Sequence, residues 1–372
     1  MSNVSPAWSR ARNLIIGRFE RISDFLLAEP TLAAVRENLP AARITLWTSA
    51  GAAPVAPLVA ADADVLVTPG WQSHDGNTGG DAASGRPAPG DEVERLRGGA
   101  FDAALLLPRI GESPQADVSA LRLADVPLIA AQLEGSTDAQ ISDPVPPLPA
   151  SAHQVHRNLH LIEALGFRIG RRRLSIEVSP GTSARTARLL AGLGLRPDAG
   201  YVVIEVADPP GAPSYPHERL VEVGRQIALS LGVGVVLVGD EEAGEAATEI
   251  ARDLGHRAVS AVGVTSPATL AALLADALAY VGNATWPMYL AEALGTPGVL
   301  LWGGGSPRSR MRPRSPGLVL LRREVDCAAC EVATCSRELG CLDLTPDTIA
   351  SAVVSLVTGR ADGSAHSSRL AA

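Results

Sequence analysis

The sequence of 372 residues contains no lysine, so every strongly basic side chain is an arginine. Aromatic residues make up only 3% of the chain, and alanine, leucine and valine must therefore supply most of the core. No apolar run reaches the roughly 18 residues that a membrane span needs, so we expect no membrane-spanning helix. With 46% hydrophobic and 19% charged residues, the composition predicts a globular protein long enough for two domains.

An excess of positive charge is also missing. The formal net charge of -8 and the pI near 5.4 argue against broad, nonspecific nucleic-acid binding. The first residues lack the basic-then-apolar layout of a signal peptide, and we expect a cytoplasmic protein. Cysteine is scarce: all four lie between Cys327 and Cys341, which indicates one local feature and not a disulfide framework.

Short apolar runs alternate with helical patterns along the chain, which is typical of parallel α/β layers. A proline-rich stretch at residues 143–150 and the helix after it separate two such sets. We predict an α/β protein of two Rossmann-like domains, residues 1–168 and 169–358, with a cleft between them and a disordered tail at 359–372. Residues 70–90, rich in Gly, Ser, Asp and Pro, predict a long functional loop.

Asp24 lies where the first predicted strand gives way to a helix, at the carboxyl edge of the sheet. Ligands of open α/β sheets bind at that edge, which makes Asp24 a candidate functional residue. The structural alternative is that this acid only complements the helix dipole, an effect of about 0.3–1 kcal/mol.

A second candidate site begins where a strand ends at Asn283 and a helix starts near Trp286 or Pro287. The free N–H groups of such a helix start, here around Thr285 to Met288, bind anions without any cationic side chain. The side chains of Asn283 and Thr285 are able to cap the helix or to contact a ligand. The sequence therefore predicts a phosphate-binding corner, with a plain helix cap as the alternative.

The next strand ends in a run of glycines. Gly303, Gly304 and Ser306 let the backbone approach a phosphate closely, although the same composition suits a simple turn. Arg308 and Arg310 follow, with two more arginines behind them, and they predict either a clamp for a diphosphate or acceptor, or a solvated basic loop.

The cysteines have the spacing Cys327-x2-Cys330-x4-Cys335-x5-Cys341. Four thiols this close in a cytoplasmic chain suit a small tetrahedral Zn or Fe site, although the spacing matches no standard finger or ferredoxin pattern. Reduced thiols and a disulfide are the alternatives. In each case we expect a structural role.

The order of these pieces resembles glycosyltransferase family 9, the heptosyltransferase family, over nearly the whole chain. Ser23-Asp24 and Pro30 are similar to the family's N-terminal Gly-Asp pair and the proline after it. The run GNATWPMYLAEALGTPG at residues 282–298 is similar to its donor-site signature, Asn-Asp-Ser/Thr-Gly-Pro-Met-His-Leu followed by Ala-Leu-Gly-Thr-Pro. The helix at residues 153–166, the cysteines and the C-terminal helix are also similar to the family.

The resemblance implies the two-domain GT-B architecture and inverting transfer of a sugar, typically a heptose, from a nucleotide-diphosphate donor. Asp24 matches the family's catalytic acid and would be the general base that accepts the acceptor's proton. The N-terminal domain then receives the acceptor and the C-terminal domain binds the donor, through residues that include Asn283, Thr285, Trp286, Pro287, Met288, Gly303, Gly304, Ser306 and Glu241.

No cofactor is required for this chemistry. The implied partners are a nucleotide-diphosphate sugar and a glycan or lipid-linked acceptor, without nucleic acid. This suits cell-envelope glycan biosynthesis at the inner face of the membrane, with peripheral membrane contact at most.

Three residues of the donor signature depart from the family: Ala284 replaces its aspartate, Trp286 its glycine and Tyr289 its histidine. Tyr215-Pro216 stands where the family has Trp-Pro, and the basic residue that precedes that pair is absent. Arg308 and the arginines after it are candidate substitutes, and Trp286 is able to stack on a base or sugar. Glu241, or its neighbour, is a candidate for ribose hydroxyls, or an exposed acid at a helix start.

Three functional hypotheses follow from these patterns. The first is an active glycosyltransferase with an altered donor site. The second is a degenerate, non-catalytic relative that binds a sugar, nucleotide or protein. A third, another GT-B-shaped enzyme such as a sugar-nucleotide epimerase, has less support because the Ser-Asp and Thr-Pro motifs point elsewhere.

Overall fold

The structure, a computed structural model, describes residues 4–68, 89–107, 113–133, 138–195, 200–207, 214–303, 308–327, 335 and 340–361. The chain divides into two compact units. The first comprises Met1–His74, Gly79–Ser175 and Ser309–Arg312, and the second comprises Asp75–Thr78, Ile176–Arg308 and Pro313–Ala372.

The first unit contains a six-stranded parallel sheet. Its strands are β1 (Asn13–Phe19), β2 (Arg43–Ser49), β3 (Asp64–Thr68), β4 (Ala103–Leu106), β5 (Leu128–Gln132) and β6 (Asp143–Val145), in the order β3-β2-β1-β4-β5-β6. Its central strands are nearly continuous apolar runs because helices cover both faces of a parallel sheet. The helices of this part are α1 (Ile22–Asn38), α2 (Ala56–Val59), α3 (Pro89–Gly98), α4 (Gln115–Leu123) and α5 (Gln154–Ala164).

The second unit repeats the plan with strands β7 (Tyr201–Glu205), β8 (Gly234–Val238), β9 (Ala258–Ser260), β10 (Ala279–Asn283), β11 (Gly298–Leu301) and β12 (Leu318–Leu321). They form a parallel sheet in the order β12-β11-β10-β7-β8-β9. The helices after α5 are α6 (Pro180–Gly192), α7 (His217–Leu231), α8 (Gly244–Leu254), α9 (Pro267–Asp276), α10 (Pro287–Leu294), α11 (Arg308–Met311) and α12 (Pro346–Ala361). Buried residues of β7, β8, β10 and α12 share one hydrophobic core.

Each sheet has a point where the strand order reverses, between β1 and β4 in the first and between β7 and β10 in the second. Loops leave a parallel sheet in opposite directions at such a point and open a crevice at the carboxyl ends of the strands. The topology therefore predicts ligand-binding residues at the carboxyl ends of these four strands.

The prediction of an α/β protein with two Rossmann-like sheets is confirmed. Helix α12 continues to Ala361, past residue 359 where we predicted the tail to begin, and the rest of that tail lies outside the described residues. Most of the predicted loop at 70–90 lies outside them too. None of the helices in the described ranges is long and apolar enough to cross a membrane.

Candidate functional site

Asp24 is the third residue of α1 and lies beyond the carboxyl end of β1, beside the switch point of the first sheet. The connection between the two elements is fixed in part by β2, because Thr48 Oγ1 donates to the Phe19 carbonyl at 2.8 Å. The half-buried Asp24 carboxylate accepts the Arg21 N–H on Oδ2 at 3.1 Å. Asp24 therefore caps α1, a local structural role, and also lies at the edge where such sheets bind ligands.

A second acid of α1, Glu29, was not singled out from the sequence. Only 4% of its surface is exposed, and its two oxygens each accept one Arg171 guanidinium N–H at 2.6 Å. One oxygen also accepts the Ser175 N–H at 3.0 Å, and the hydrogen bond to Glu29 raises the pKa of Arg171. This bidentate pair ties the segment after α5 to α1, so its role is structural.

Glu205, the last residue of β7, lies at the switch point of the second sheet. Its buried carboxyl accepts three hydrogen bonds from the end of β10 and the turn after it: from the Tyr280 hydroxyl at 2.5 Å, the Asn283 N–H at 3.0 Å and the Thr285 hydroxyl at 2.6 Å. Burial raises the pKa of Glu205, and these three hydrogen bonds oppose the shift. The corner between β10 and α10 is thus built around a carboxyl group from the neighbouring strand.

Gly282 makes this arrangement possible. A Cβ at that position would lie 1.9 Å from the Tyr280 hydroxyl and 2.6 Å from Glu205 Oε2. Side chains two residues apart on a strand point to the same face, so any larger residue would push Tyr280 off the carboxyl. A glycine two residues after a tyrosine, at the end of a central strand, was the signal available in the sequence.

Helix α10 begins without a side-chain cap, with Trp286 as the residue before its first position. Thr285 does not cap it because its hydroxyl is bound to Glu205. The expected group of free amides is reduced: Met288 N–H donates to Thr285 O at 3.3 Å, and Pro287 has no N–H to offer. Trp286 is half-buried, whereas Pro287 and Met288 are buried.

Two buried polar atoms at the carboxyl edge of this sheet lack hydrogen-bond partners in the described part of the chain. Asn283 is 4% exposed and its side-chain Oδ1 accepts no hydrogen bond. Trp302, directly after β11, is fully buried and its indole N–H finds no acceptor. Buried polar groups are normally satisfied, so these atoms mark this edge as a place for further polar contacts.

The remaining residues expected to bind the donor are only partly described. Glu241 is exposed at the start of a short 3₁₀ turn that follows β8, the position that either of its two predicted roles requires. Gly303 is buried two residues after β11, whereas Gly304 and Ser306 lie outside the described residues.

The two arginines of the predicted clamp, Arg308 and Arg310, are assigned to different compact units. The side chain of Arg308 lies outside the described residues, and Arg310 belongs to the first compact unit. The neighbouring Arg312 is held there, since its carbonyl lies 2.8 Å from His153 Nε2. Arg314 is in the second unit, and its Nε lies 4.0 Å from the buried acid Glu292 of α10.

Tyr215-Pro216 is a core element at the start of α7. Tyr215 is buried, and its hydroxyl donates to Leu344 O at 2.9 Å. Two basic residues follow this pair in α7: Arg219 binds Asp343 at 2.9 Å, and His217 Nε2 lies 3.4 Å from Ala207 O, beyond the end of β7. Of these two basic residues, His217 is therefore the one near the switch point of the second sheet.

Cys327 and Cys341 are free, Cys335 is half-buried, and Cys330 lies outside the described residues. Cys341 packs in the hydrophobic core of the second unit. No group of three or more His, Cys, Asp or Glu side chains that could hold a metal ion occurs among the residues described.

Solved structures of the same fold share little sequence with this chain. The family 9 glycosyltransferase of Veillonella parvula has a TM-score of 0.75 at 15% identity, with 93% of this chain and 97% of the other covered. For E. coli ADP-heptose LPS heptosyltransferase II the TM-score is 0.70 at 19% identity, with coverages of 94% and 99%. For the iron-containing dodecameric glycosyltransferase TibC of enterotoxigenic E. coli the values are 0.53, 13%, 96% and 81%.

These likenesses confirm the GT-B fold. No curated protein sequence matches the chain. The family model described as glycosyltransferase family 9 (heptosyltransferase) matches residues 93–340, more than half of the chain. The chain belongs to glycosyltransferase family 9, the heptosyltransferase family, and is a glycosyltransferase.

Proposed function

We propose that this glycosyltransferase transfers a sugar, with inversion, from a nucleoside-diphosphate donor to a hydroxyl group of a glycan or lipid-linked acceptor. The observation that carries the proposal is the polar corner at the switch point of the second sheet. Glu205, Asn283 and Thr285 meet there beside the start of α10. Phosphates bind at such a point in open α/β sheets, next to a helix N-terminus.

On this proposal the donor lies across the carboxyl edge of the second sheet. Thr285 and the first turn of α10 bind the diphosphate, with Asn283, Pro287 and Met288 shaping the corner. Trp286 stacks on the base or the sugar, and Glu241 binds the ribose hydroxyls. Gly303, Gly304 and Ser306 allow close approach of the backbone. ADP-heptose appears in the name of one structural relative, so ADP-linked sugars are the first donors to test.

The base is Asp24. A carboxylate there accepts the acceptor's hydroxyl proton as that oxygen attacks the anomeric carbon from the face opposite the diphosphate. The C–O bond to the diphosphate breaks. The negative charge that develops on the leaving diphosphate is stabilised by the dipole of α10 and by the arginines from Arg308 and Arg310 onward. Each chemical step is then served by a residue type suited to it.

The acceptor side of the proposal is a role in cell-envelope glycan synthesis at the cytoplasmic face of the membrane. Its test is fractionation of cells that express the chain at native level, with and without high salt. If the chain is recovered with the membrane and high salt releases it, the result supports peripheral contact at that face. Recovery of the chain outside the cytoplasm contradicts it.

We also propose that the segment with Cys327, Cys330, Cys335 and Cys341 binds a structural Zn or Fe ion. An iron-containing relative supports this, whereas the burial of Cys341 in the core does not. Elemental analysis of anaerobically purified protein tests it: about one metal per chain is expected. A content far below that rejects the site.

The experiment that tests the transfer is a two-step assay on the purified chain. ADP-, UDP- and GDP-linked sugars are first screened for thermal stabilisation, and stabilising donors are then tested for release of nucleoside diphosphate with candidate acceptors. The anomeric configuration of the product is read by NMR. Failure of every donor to stabilise the protein contradicts the proposal, and retention of configuration contradicts inversion.

Asp24→Asn separates chemistry from binding. Asparagine keeps an oxygen to cap α1 but is a far weaker base, so we expect turnover to fall by about 100-fold or more while donor stabilisation persists. Asp347→Asn, at the same kind of position in the first turn of α12, is the matched control and should keep full turnover. Normal turnover in Asp24→Asn refutes the assignment of the base.

A second candidate, a non-catalytic relative that binds nucleotide sugars, is favoured by one observation. The Thr285 hydroxyl is already bound to Glu205, and Ala284 offers no carboxylate in its place. Donor stabilisation with no turnover against any acceptor, and no effect of Asp24→Asn on any property, would support this candidate over the first.

A further inference from the structure

The two carboxyl oxygens of Glu205 have different partners. Oε2 accepts from both the Tyr280 hydroxyl and the Asn283 N–H, whereas Oε1 accepts from the Thr285 hydroxyl. Glu205 is 5% exposed, and Thr285 is half-buried. Thr285 is therefore the side chain through which a ligand in this corner contacts the buried acid.

The charged surroundings of Glu205 offer it no cation. Among the described residues no basic side chain contacts it, and the charge that acts on it is that of Asp240, an acid after β8. Asp240 in turn has Glu242 beside it. On α7, His217 is engaged with the Ala207 carbonyl, two residues beyond Glu205.

Tyr280 is the titratable group that faces Glu205 from β10. Its burial and the neighbouring acid raise its pKa, so its hydroxyl stays a neutral donor. Burial and Asp240 also raise the pKa of Glu205. Further negative charge beside a buried carboxyl in these surroundings raises its pKa again and favours the protonated form.

We propose that Glu205 takes up a proton on Oε1 when the donor's diphosphate binds, and that the Thr285 hydroxyl then donates to a phosphate oxygen. The inference rests on the proposed function, because it needs a nucleoside-diphosphate sugar at this corner. Glu205 is on this account a positioning residue, since it acts on the donor through Thr285.

The donors and acceptors of Glu205 and Thr285 explain how protonation frees the threonine hydroxyl. While Glu205 is ionised, the proton of Thr285 is used by Oε1, and the threonine presents only lone pairs to an incoming phosphate. A proton from solvent on Oε1 reverses that bond, so that Glu205 donates to Thr285 Oγ1 and the threonine O–H is freed. Oε2 continues to accept from Tyr280 and Asn283. The corner becomes neutral without a cationic side chain.

The linkage has a defined sign. Because the bound diphosphate favours the protonated acid, donor affinity falls as the pH rises from the pKa of Glu205 in the free protein to its pKa in the complex. Within that window the affinity changes by at most about tenfold per pH unit, as expected for one proton. Outside the window this contribution is constant.

Glutamine mimics the protonated acid at this position. In Glu205→Gln the amide oxygen accepts from Tyr280 and Asn283, and the amide N–H₂ donates to Thr285 Oγ1. We expect Glu205→Gln to bind the donor at all pH values with about the affinity that the wild type reaches only at low pH. The pH dependence that Glu205 gives to donor binding should be lost in this variant.

The experiment is calorimetric titration of ADP-glucose, UDP-glucose and GDP-mannose into wild type and Glu205→Gln. Each phosphate of these probes has one ester and one anhydride bond, so the diphosphate keeps a fixed charge over the range studied. Each titration is run in two buffers of different ionisation enthalpy, which counts the protons taken up. We expect uptake of up to one proton by the wild type and less by Glu205→Gln.

Three further variants complete the test. Thr285→Val should weaken donor binding by about tenfold at low pH, whereas Thr285→Ser, which keeps the hydroxyl, should restore it. Glu292→Gln changes another buried acid of the same unit and should leave proton uptake unchanged. Equal proton uptake by wild type and Glu205→Gln overturns the inference, as does unchanged affinity in Thr285→Val.

The outcomes also separate the two proposals. If the wild type binds none of the probes at any pH, the proposed function fails and the inference fails with it. If the wild type binds a probe without proton uptake, only the inference fails.

Discussion

Glu29 and Glu205 are both buried acids, with 4% and 5% of their surfaces exposed; Glu29 lies within α1, and Glu205 is the last residue of β7. Glu29 has a guanidinium at 2.6 Å on both oxygens. The donors to Glu205 in the described part of the chain are all neutral: two hydroxyls and one backbone N–H. The two acids are equally buried, but a cation balances the charge of Glu29, whereas Glu205 has neutral hydrogen-bond donors.

The difference separates two uses of a buried carboxyl. A bidentate arginine satisfies the geometry and charge of Glu29 together, so that pair holds α1 to the chain after α5 and is not available to a ligand. Neutral donors satisfy the hydrogen bonds of Glu205 but do not neutralise its charge. The protonation of such a carboxyl group depends on pH and on nearby anions. Burial alone therefore does not identify a functional acid, whereas the identity of its partners does.

The largest effect on stability is expected from Arg171→Met, which leaves the Glu29 carboxylate buried without its cation. We expect the free energy of unfolding to fall by about 3 kcal/mol, the lower end for a broken buried pair, because Arg171 is 30% exposed. Chemical denaturation at neutral pH measures it.

Two variants control this measurement. Arg172→Met removes the partner of Glu163 in a pair whose arginine is half exposed, and it should cost less than about 1 kcal/mol. Glu29→Met combined with Arg171→Met should recover most of the loss, because no charge then stays buried. Equal losses for Arg171→Met and Arg172→Met would show that Glu29 does not depend on its cation.

A smaller effect is expected when the Glu205 side of the contrast is disturbed through Gly282→Ala. The added Cβ would lie 1.9 Å from the Tyr280 hydroxyl, so Tyr280 must leave Glu205. We expect a loss of about 2 kcal/mol, typical of overpacking, together with weaker donor binding. Gly192→Ala, where a Cβ meets nothing within 4 Å, is the matched control and should be neutral. An unchanged melting temperature in Gly282→Ala contradicts the tight packing of this corner.

The fold was predictable from the sequence because its signal is local and repeated. Alternating apolar runs and helical patterns indicate parallel α/β layers in each half. The position of Asp24 was predictable for the same reason, since the end of a strand and the start of a helix adjoin it in the chain.

The two buried acids were not predictable, because their partners are distant in sequence. Glu205 reads as one more residue of an apolar strand, and its donors lie 75, 78 and 80 residues away. Arg171 is 142 residues from Glu29. Only the pairing of β7 with β10 brings Glu205 to Gly282 and Thr285, and that strand order cannot be derived from the periodicity of either strand.

The smallest effect expected is the pH dependence of stability that Glu205 contributes. Its pKa is raised in the folded protein, so the folded state keeps a proton that the unfolded chain has already released. The contribution is complete below the unfolded pKa and is lost as the pH rises through the folded pKa, by at most about 1.4 kcal/mol per pH unit. Urea unfolding of wild type and Glu205→Gln at a series of pH values isolates it, since other titrating groups cancel in the difference. The wild type should lose stability relative to Glu205→Gln as the pH rises, and parallel curves would show that Glu205 contributes no pH dependence to stability.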